Sequence, residues 1–170
     1  MSIRFGVLTV SDRSARGERS DSSGPALIEE IKKQHWEVEK VKIVADDTQE
    51  LVAVFREWAD GGEVDVILST GGTGFSPRDI TPEATEVVIE RSAPGLAEAM
   101  RIESMKITPH AMLSRATAGI RGATLIVNLP GSPKAAIENF QAIQAVIPHA
   151  VSLLRNEASA ESGHQLGKEP

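Results

Sequence analysis

The sequence lacks cysteine and tyrosine altogether, and aromatic side chains make up only 4% of its 170 residues. Without cysteine there can be no disulfide, no thiolate metal site and no cysteine nucleophile. The scarcity of aromatic rings disfavours a stacking platform for single-stranded nucleic acid. No apolar run is long enough to cross a bilayer, so we expect no membrane association. The absence of disulfides is compatible with the cytoplasm, where we expect the protein to reside.

Positive charge is also in short supply, since the formal net charge is −6 and the sequence pI is about 5.3. Nucleic-acid binders depend on clustered lysine and arginine, so no nucleic-acid partner is expected. A small anionic ligand is still compatible with this charge, because it needs only a local positive field. The length fits one domain, which we assign to residues 1–155. Residues 156–170 are polar and are predicted to form a disordered tail.

The hydrophobic pattern predicts strands that alternate with helices. After the second strand, Leu51, Val54, Phe55 and Trp58 follow the spacing of one helix face. Alternation of this kind is typical of an α/β fold, here a three-layer α/β/α sandwich with a mostly parallel central sheet. The four predicted strands span residues 3–10, 38–44, 64–69 and 124–129.

Several segments between these strands have weaker patterns. Residues 11–23 are polar and are interpreted as a loop, whose three arginines can form a solvated face. A helix from Pro82 is expected to place Ala84, Val87 and Val88 on one face and to continue to Arg91. Residues 108–122 favour no single element. Pro148 is expected to kink or divide the last long helix.

The most informative motif is Thr70-Gly71-Gly72-Thr73-Gly74, which directly follows a buried strand. Glycines allow backbone N–H groups to approach a ligand closely, and Asp79 then precedes a Thr-Pro helix start. These features indicate a site for phosphates and a metal ion. No Gly-Lys-Ser/Thr follows, and the spacing is not the dinucleotide pattern G-x-G-x-x-G. The alternative is a turn that only reverses the chain.

Polar turns follow all four predicted strands, beginning at Ser11-Asp12, Asp46-Asp47, Thr70 and Pro130-Gly131-Ser132. Parallel strands bring their carboxyl ends to one edge, so we expect these turns to converge on a functional site. The four turns contain no histidine, which disfavours a serine hydrolase. Carboxylates with a glycine loop suit phosphoryl or nucleotidyl transfer assisted by Mg²⁺. Alternatively, the same carboxylates only stabilise the N-termini of the helices that follow.

Six motifs, in order between about residues 3 and 155, resemble the molybdopterin adenylyltransferases of molybdenum cofactor biosynthesis. The most specific is the glycine loop followed by Arg78-Asp79-x-Thr81-Pro82-Glu83-Ala84. The other five are Thr9-Val-Ser-Asp12, Ser23-Gly-Pro25, Pro94-Gly-Leu96, Leu113-Ser-Arg115 and Asn128-Leu-Pro-Gly131.

The resemblance implies transfer of an adenylyl group from ATP to the terminal phosphate of molybdopterin, with Mg²⁺ required. It implies a homotrimer and a hand-off of the product to the molybdenum-insertion enzyme. The two catalytic acids of the family fall on Asp46 and Asp79, which are also the candidate metal ligands. The implied substrate-binding and nucleotide-binding residues are Ser11, Asp12, Asp21, Thr70, Gly71, Gly72, Thr73, Gly74, Ser104, Ser114, Arg115, Asn128, Gly131 and Ser132.

Other interpretations remain open at this point. Family members commonly carry Pro-Asp-Glu where this chain has Ala45-Asp46-Asp47, so either aspartate can be the functional acid. A paralogous binding or scaffold module would bind molybdopterin without turnover. The related domain of the metal-insertion enzyme belongs to a much larger chain, and the length of 170 residues disfavours it.

Overall fold

Six strands and seven α-helices alternate along residues 2–156, the part of the chain that this computed structural model describes. The predicted tail, beyond its first residue, lies outside the described residues. None of the described helices has the length and apolar character needed to cross a bilayer. The strands are β1 (Arg4–Val10), β2 (Glu37–Val44), β3 (Val66–Thr70), β4 (Arg91–Ser92), β5 (Ala118–Arg121) and β6 (Thr124–Leu129). The helices are α1 (Asp12–Ala15), α2 (Ser23–Lys33), α3 (Thr48–Asp60), α4 (Thr81–Val88), α5 (Pro94–Met105), α6 (Pro133–Gln144) and α7 (Ile147–Leu154), and a 3-10 helix covers Pro109–Leu113.

The strands form one sheet in the order β2-β1-β3-β6-β5-β4. The four predicted strands pair in parallel, with Thr9 opposite Thr70 and Thr70 opposite Leu129. The two strands that the sequence did not predict, β4 and β5, extend the sheet in antiparallel pairing. The prediction of a mostly parallel sheet between two helical layers is therefore confirmed.

One face of the sheet is covered by α2, α5, α6 and α7. Phe5 lies at the centre of this core, where its ring stacks on Trp36 at a centroid distance of 5.3 Å and meets the edge of Phe140 at 6.1 Å. Phe5 and Phe140 are fully buried, as are Leu27 and Ile31 of α2. Aromatic pairs in these orientations add about 0.5–1.5 kcal/mol to the effect of burial alone.

The opposite face is covered by α3 and α4, and all four residues of the helical stripe predicted from the sequence are buried in its core. Trp58 packs so closely on β1 that a Cβ at Gly6 would come within 2.6 Å of the indole ring. This contact explains a glycine in the middle of a buried strand, where glycine otherwise weakens the strand. The two cores on opposite faces fix the position of the sheet edge where the polar turns meet.

The structure differs from the sequence predictions in two of these elements. Residues 12–15 of the predicted loop form the short helix α1. Helix α4 ends at Val88, because Ile89 adopts an extended conformation and Arg91 pairs with Ile120 in the sheet. Val87, predicted to face the core, is therefore 59% exposed. Pro148 does divide the last helix, because α6 ends at Gln144 and α7 begins with Pro148 in its first turn.

A buried carboxylate joins the start of β1 to the residue after α7, at the edge of the sheet remote from the polar turns. Asp65 accepts hydrogen bonds from the backbone N–H of Arg4 at 2.8 Å and from the guanidinium of Arg155 at 2.7 Å. Burial alone would raise the pKa of Asp65, but the hydrogen bonds from Arg4 and Arg155 outweigh it and hold the pKa below its ordinary value. The ionised carboxylate therefore stabilises the fold.

Replacing this carboxylate tests its contribution. Asp65→Asn is expected to lower the free energy of unfolding by about 2 kcal/mol at pH 7, since hydrogen bonds to charged groups contribute about that much. Because the folded-state pKa is lowered, the stabilisation is complete above the unfolded value of about 4 and is lost as pH falls through the folded value. Urea unfolding of wild type and variant at pH 7 and pH 3 measures both effects.

Asp60→Asn is the matched control for this experiment, because the Asp60–Arg121 ion pair lies on the surface. We expect it to have a much smaller effect, since solvent screens exposed ion pairs. An Asp65→Asn loss that is equally large at pH 3 and pH 7 would contradict the role given to the ionised carboxylate.

Candidate active site

The turns after β1, β2, β3 and β6 meet at one edge of the sheet, as the sequence predicted. The backbone N–H of Ser11 donates to the carbonyl of Val44 at 2.9 Å, and that of Gly71 donates to the carbonyl of Leu129 at 3.1 Å. The hydroxyl of Thr70 donates to the carbonyl of Pro130 at 2.7 Å. These bonds join neighbouring turns directly, so the turns form one continuous rim.

Two glycines of the loop after β3 occupy positions that a side chain could not. Gly71 has a φ of 104°, and a Cβ there would collide with the carbonyl oxygen of Val10. Gly72 has a φ of 65°, and a Cβ there would collide with the hydroxyl of Thr81. Both conformations favour glycine, and the close contacts require it. The loop is thus held tightly between the end of β1 and the start of α4.

A polar cleft of about 640 Å³ lies on one side of this loop. The cleft brings together the two predicted catalytic acids with residues from three of the turns. Its lining includes these predicted residues: Ser11, Asp46, Thr70, Gly71, Gly72, Asp79, Gly131 and Ser132.

The two acids of the cleft are held in different ways. Asp46 accepts a hydrogen bond from the backbone N–H of Asp12 at 2.9 Å, while its other oxygen faces Gly72. Burial raises the pKa of Asp46, and the negative charges of Asp12 and Asp79 raise it further. Asp79 accepts a hydrogen bond from the backbone N–H of Ser76 at 2.9 Å. A cation near both carboxylates would therefore be favoured, because it would offset their mutual repulsion.

The structure distinguishes the two adjacent aspartates after β2. Asp47 is the N-cap of α3, where its carboxylate accepts a hydrogen bond from the backbone N–H of Glu50 at 2.9 Å. Thr48, the next residue, already lies in the first turn of this helix. Asp46, in contrast, lines the polar cleft. The geometry therefore favours Asp46 as the functional acid.

A second cavity of about 300 Å³ lies on the other side of the glycine loop. Apolar groups of Ile107, Leu113 and Pro130 contribute to its walls. Four predicted residues, Thr73, Gly74, Ser104 and Ser114, line this cavity instead of the polar cleft. The loop therefore separates the predicted site residues into two compartments, which the sequence could not show.

Arg115 holds the glycine loop in place. Its guanidinium donates to the carbonyl of Gly74 at 2.7 Å and to that of Asp79 at 2.6 Å, and it forms an ion pair with Glu83. The backbone N–H of Arg115 also donates to the carbonyl of Thr73 at 2.9 Å. Arg115 therefore has a structural role at the loop, and its binding of substrate stays a prediction.

Asp21 and Asn128 are also engaged by the protein itself. Asp21 accepts hydrogen bonds from the hydroxyl of Thr9 at 2.7 Å and from the backbone N–H of Gly24 at 3.1 Å. Asn128 is fully buried, and its amide donates to the hydroxyls of Ser69 and Thr85. The side chain of Asn128 thus joins β3, β6 and α4 in the core, and its binding of substrate stays a prediction.

Arg19 and Arg78 were not selected as site residues from the sequence. Arg19, interpreted there as part of a solvated face, is the one arginine among the described residues that line the polar cleft. Arg78 forms a bidentate ion pair with Asp12, 66 positions earlier in the chain. The signal that could have identified Arg19 is its position among the serines of the first loop, next to a predicted anion site.

Comparisons with known proteins agree with this geometry. The family described as "Probable molybdopterin binding domain" matches residues 6–149. A molybdopterin adenylyltransferase from Helicobacter pylori is 41% identical over 159 residues, which cover 89% of this chain and 88% of that protein.

Further similarity extends to a longer protein and to a solved structure. The molybdenum cofactor synthesis protein cinnamon of Drosophila melanogaster is 46% identical over 159 residues, 93% of this chain, and the chain spans only 26% of that protein. The molybdopterin biosynthesis enzyme MoaB from Thermus thermophilus is 48% identical, with a TM-score of 0.86 over 91% of this chain and 98% of that one. The chain therefore belongs to the molybdopterin-binding domain family of molybdenum cofactor biosynthesis, which includes the molybdopterin adenylyltransferases.

Proposed function

We propose that this protein transfers the adenylyl group of ATP to the terminal phosphate of molybdopterin. The observation that supports this most strongly is the convergence of Asp46 and Asp79, from two different turns, on one polar cleft beside the glycine loop. Relatives named molybdopterin adenylyltransferase supply the identity of the two substrates. Residues 1–155 would act as a single catalytic domain.

The reaction needs little help from a protein base. An oxygen of the molybdopterin phosphate attacks the α-phosphorus of ATP, and a new P–O bond forms. The bond between that phosphorus and the oxygen bridging to the β-phosphate breaks, and pyrophosphate leaves with the electron pair. The attacking phosphate is already ionised at pH 7, because its second pKa is about 6. This agrees with a cleft whose described lining includes no histidine.

The residues of the polar cleft fit Mg²⁺. Within residues 2–156 no group of three or more acidic, histidine or cysteine side chains is suited to hold a metal ion by itself. Mg²⁺ usually binds through one or two carboxylates together with substrate phosphates, and Asp46 and Asp79 would provide the carboxylates. When bound, Mg²⁺ neutralises charge on the phosphates and favours their alignment.

The two compartments suggest a division of the substrates. The polar cleft, with its glycine N–H groups, serines and Arg19, suits the phosphates. The smaller cavity, with apolar walls, suits a flat ring system of one substrate. The glycine loop lies between them, where it can contact a substrate that extends from one compartment into the other. Each substrate would thereby be fixed with its reactive phosphate in the polar cleft.

We further propose that the protein acts in the cytoplasm as a homotrimer and passes its product to the molybdenum-insertion enzyme. Val41 and Ile43 on the edge strand β2 are 56% and 39% exposed, and apolar side chains exposed to this degree are commonly covered in assemblies.

Light scattering is expected to give three times the chain mass of 18.2 kDa. A mass near one chain would contradict the trimer.

The proposed reaction predicts release of pyrophosphate from ATP only when Mg²⁺ and molybdopterin are both present.

Asp79→Asn is expected to lower turnover about 100-fold or more, because it removes a negative charge that acts on the transition state. Its binding of molybdopterin, measured by equilibrium dialysis, should persist. A binding or scaffold module would release no pyrophosphate in the wild type, and near-normal turnover of Asp79→Asn would refute the role of this acid.

A second prediction separates the adjacent aspartates. Asp46→Asn is expected to lower kcat as strongly as Asp79→Asn, because it removes the second carboxylate of the cleft. Asp47→Asn is expected to leave kcat and the unfolding temperature nearly unchanged, since asparagine caps a helix about as well as aspartate. Steady-state kinetics of the two variants side by side decides the question. Loss of activity in Asp47→Asn alone would reverse the assignment.

A further inference from the structure

Arg78, which directly precedes Asp79, forms an ion pair with Asp12 of a different turn. Its Nε donates to Oδ2 of Asp12 at 2.9 Å, and its second guanidinium nitrogen donates to the same oxygen at 2.7 Å. Arg78 precedes Asp79 in the segment after the glycine loop, whereas Asp12 follows β1. This ion pair therefore connects the segment that carries one catalytic acid to the turn after the first strand.

Asp12 in turn is connected to the other acid by two reciprocal hydrogen bonds. The backbone N–H of Asp46 donates to Oδ1 of Asp12 at 3.0 Å, and the backbone N–H of Asp12 donates to Oδ2 of Asp46 at 2.9 Å. These bonds orient Asp46 so that its Oδ1 faces the glycine loop, where a Cβ on Gly72 would lie 3.1 Å away. The orientation of the Asp46 carboxylate thus depends on where Asp12 is held.

Charge explains why Asp12 needs a cationic partner here. The carboxylates of Asp12 and Asp46 lie close enough for the negative charge of Asp12 to act on Asp46. Without Arg78, repulsion between these two carboxylates would favour rotation of Asp12 away from the backbone of Asp46. The planar guanidinium donates to both carboxylate oxygens of Asp12 at once, which fixes its rotation as well as its charge.

An ordinary surface ion pair in the same loop provides the contrast. Arg16 binds Glu18 with similar bidentate geometry, at 2.7 and 3.0 Å. Both side chains are more than half exposed, and the pair spans only two positions of one loop. Arg78 is 64% exposed as well, but its partner Asp12 is only 23% exposed and accepts a hydrogen bond from the backbone N–H of Asp46. The Arg78 pair is therefore connected directly to a residue that lines the polar cleft.

We propose that Arg78 and Asp12 form a positioning pair that holds the Asp46 carboxylate in the geometry needed for adenylyl transfer. This inference rests on the proposed function. Arg78 acts through Asp12 and does not itself have to touch a substrate. Its loss should therefore impair the chemical step more than the binding of ATP.

The test compares Arg78→Gln, Arg78→Lys and the control Arg16→Gln in the pyrophosphate release assay. We expect Arg78→Gln to lower kcat about 10- to 100-fold, as small misplacements of reacting groups do, with the KM for ATP changed less than about threefold. Arg78→Lys should recover part of kcat, because it restores the charge but not the planar fork. Arg16→Gln should match the wild type, and all three variants should unfold at similar temperatures.

A double variant tests whether Arg78 and Asp12 act as one unit. Asp12→Asn should lower kcat by a similar factor, and Arg78→Gln combined with Asp12→Asn should be no slower than either alone, because residues that act as a unit are not additive.

The outcomes that overturn the inference are distinct from failure of the proposed function. An active wild type with an unaffected Arg78→Gln variant would overturn the inference alone. So would a raised KM with normal kcat, which would mean that Arg78 binds substrate directly. A wild type that releases no pyrophosphate would overturn the proposed function and this inference with it.

Discussion

Close backbone contact at the glycine loop is the constraint on which the rest of the site depends. A Cβ at Gly71 would collide with the carbonyl of Val10, and a Cβ at Gly131 would lie 3.2 Å from the Cα of Gly71. The ends of β1, β3 and β6 can therefore meet only because these positions carry no side chain. Because glycine has no side chain, the backbone of the loop can line both cavities at its glycine positions.

The remaining polar groups around the loop divide into those that hold it and those that face a ligand. Arg115 binds the carbonyls of Gly74 and Asp79, and Asp47 caps α3, so both side chains hold neighbouring backbone in place. Asp46, Asp79 and Arg19 face the polar cleft. A concentration of two carboxylates in a partly buried cleft is unfavourable by itself, which is consistent with a site that is completed by a cation and phosphates.

Sequence reasoning predicted those parts of the fold that depend on local pattern. Four strands, the stripe of α3 and the convergence of the polar turns follow from periodicity and parallel topology. It could not predict β4 and β5, which are short and depend on pairing with each other and with β6. Asn128 and Arg78 were also beyond it, because their partners, Thr85 and Asp12, lie 43 and 66 positions away. The two cavities likewise result from long-range packing.

We propose that Asp46 and Asp79 together bind a metal ion beside the phosphates of ATP in the polar cleft. This can be tested by a crystal structure with a non-hydrolysable ATP analogue and Mn²⁺ in place of Mg²⁺. We expect an anomalous peak about 2.0–2.3 Å from carboxylate oxygens of both Asp46 and Asp79, with the α-phosphate beside the glycine loop. A metal peak that lacks either aspartate as a ligand, or phosphates bound outside the polar cleft, would contradict this proposal.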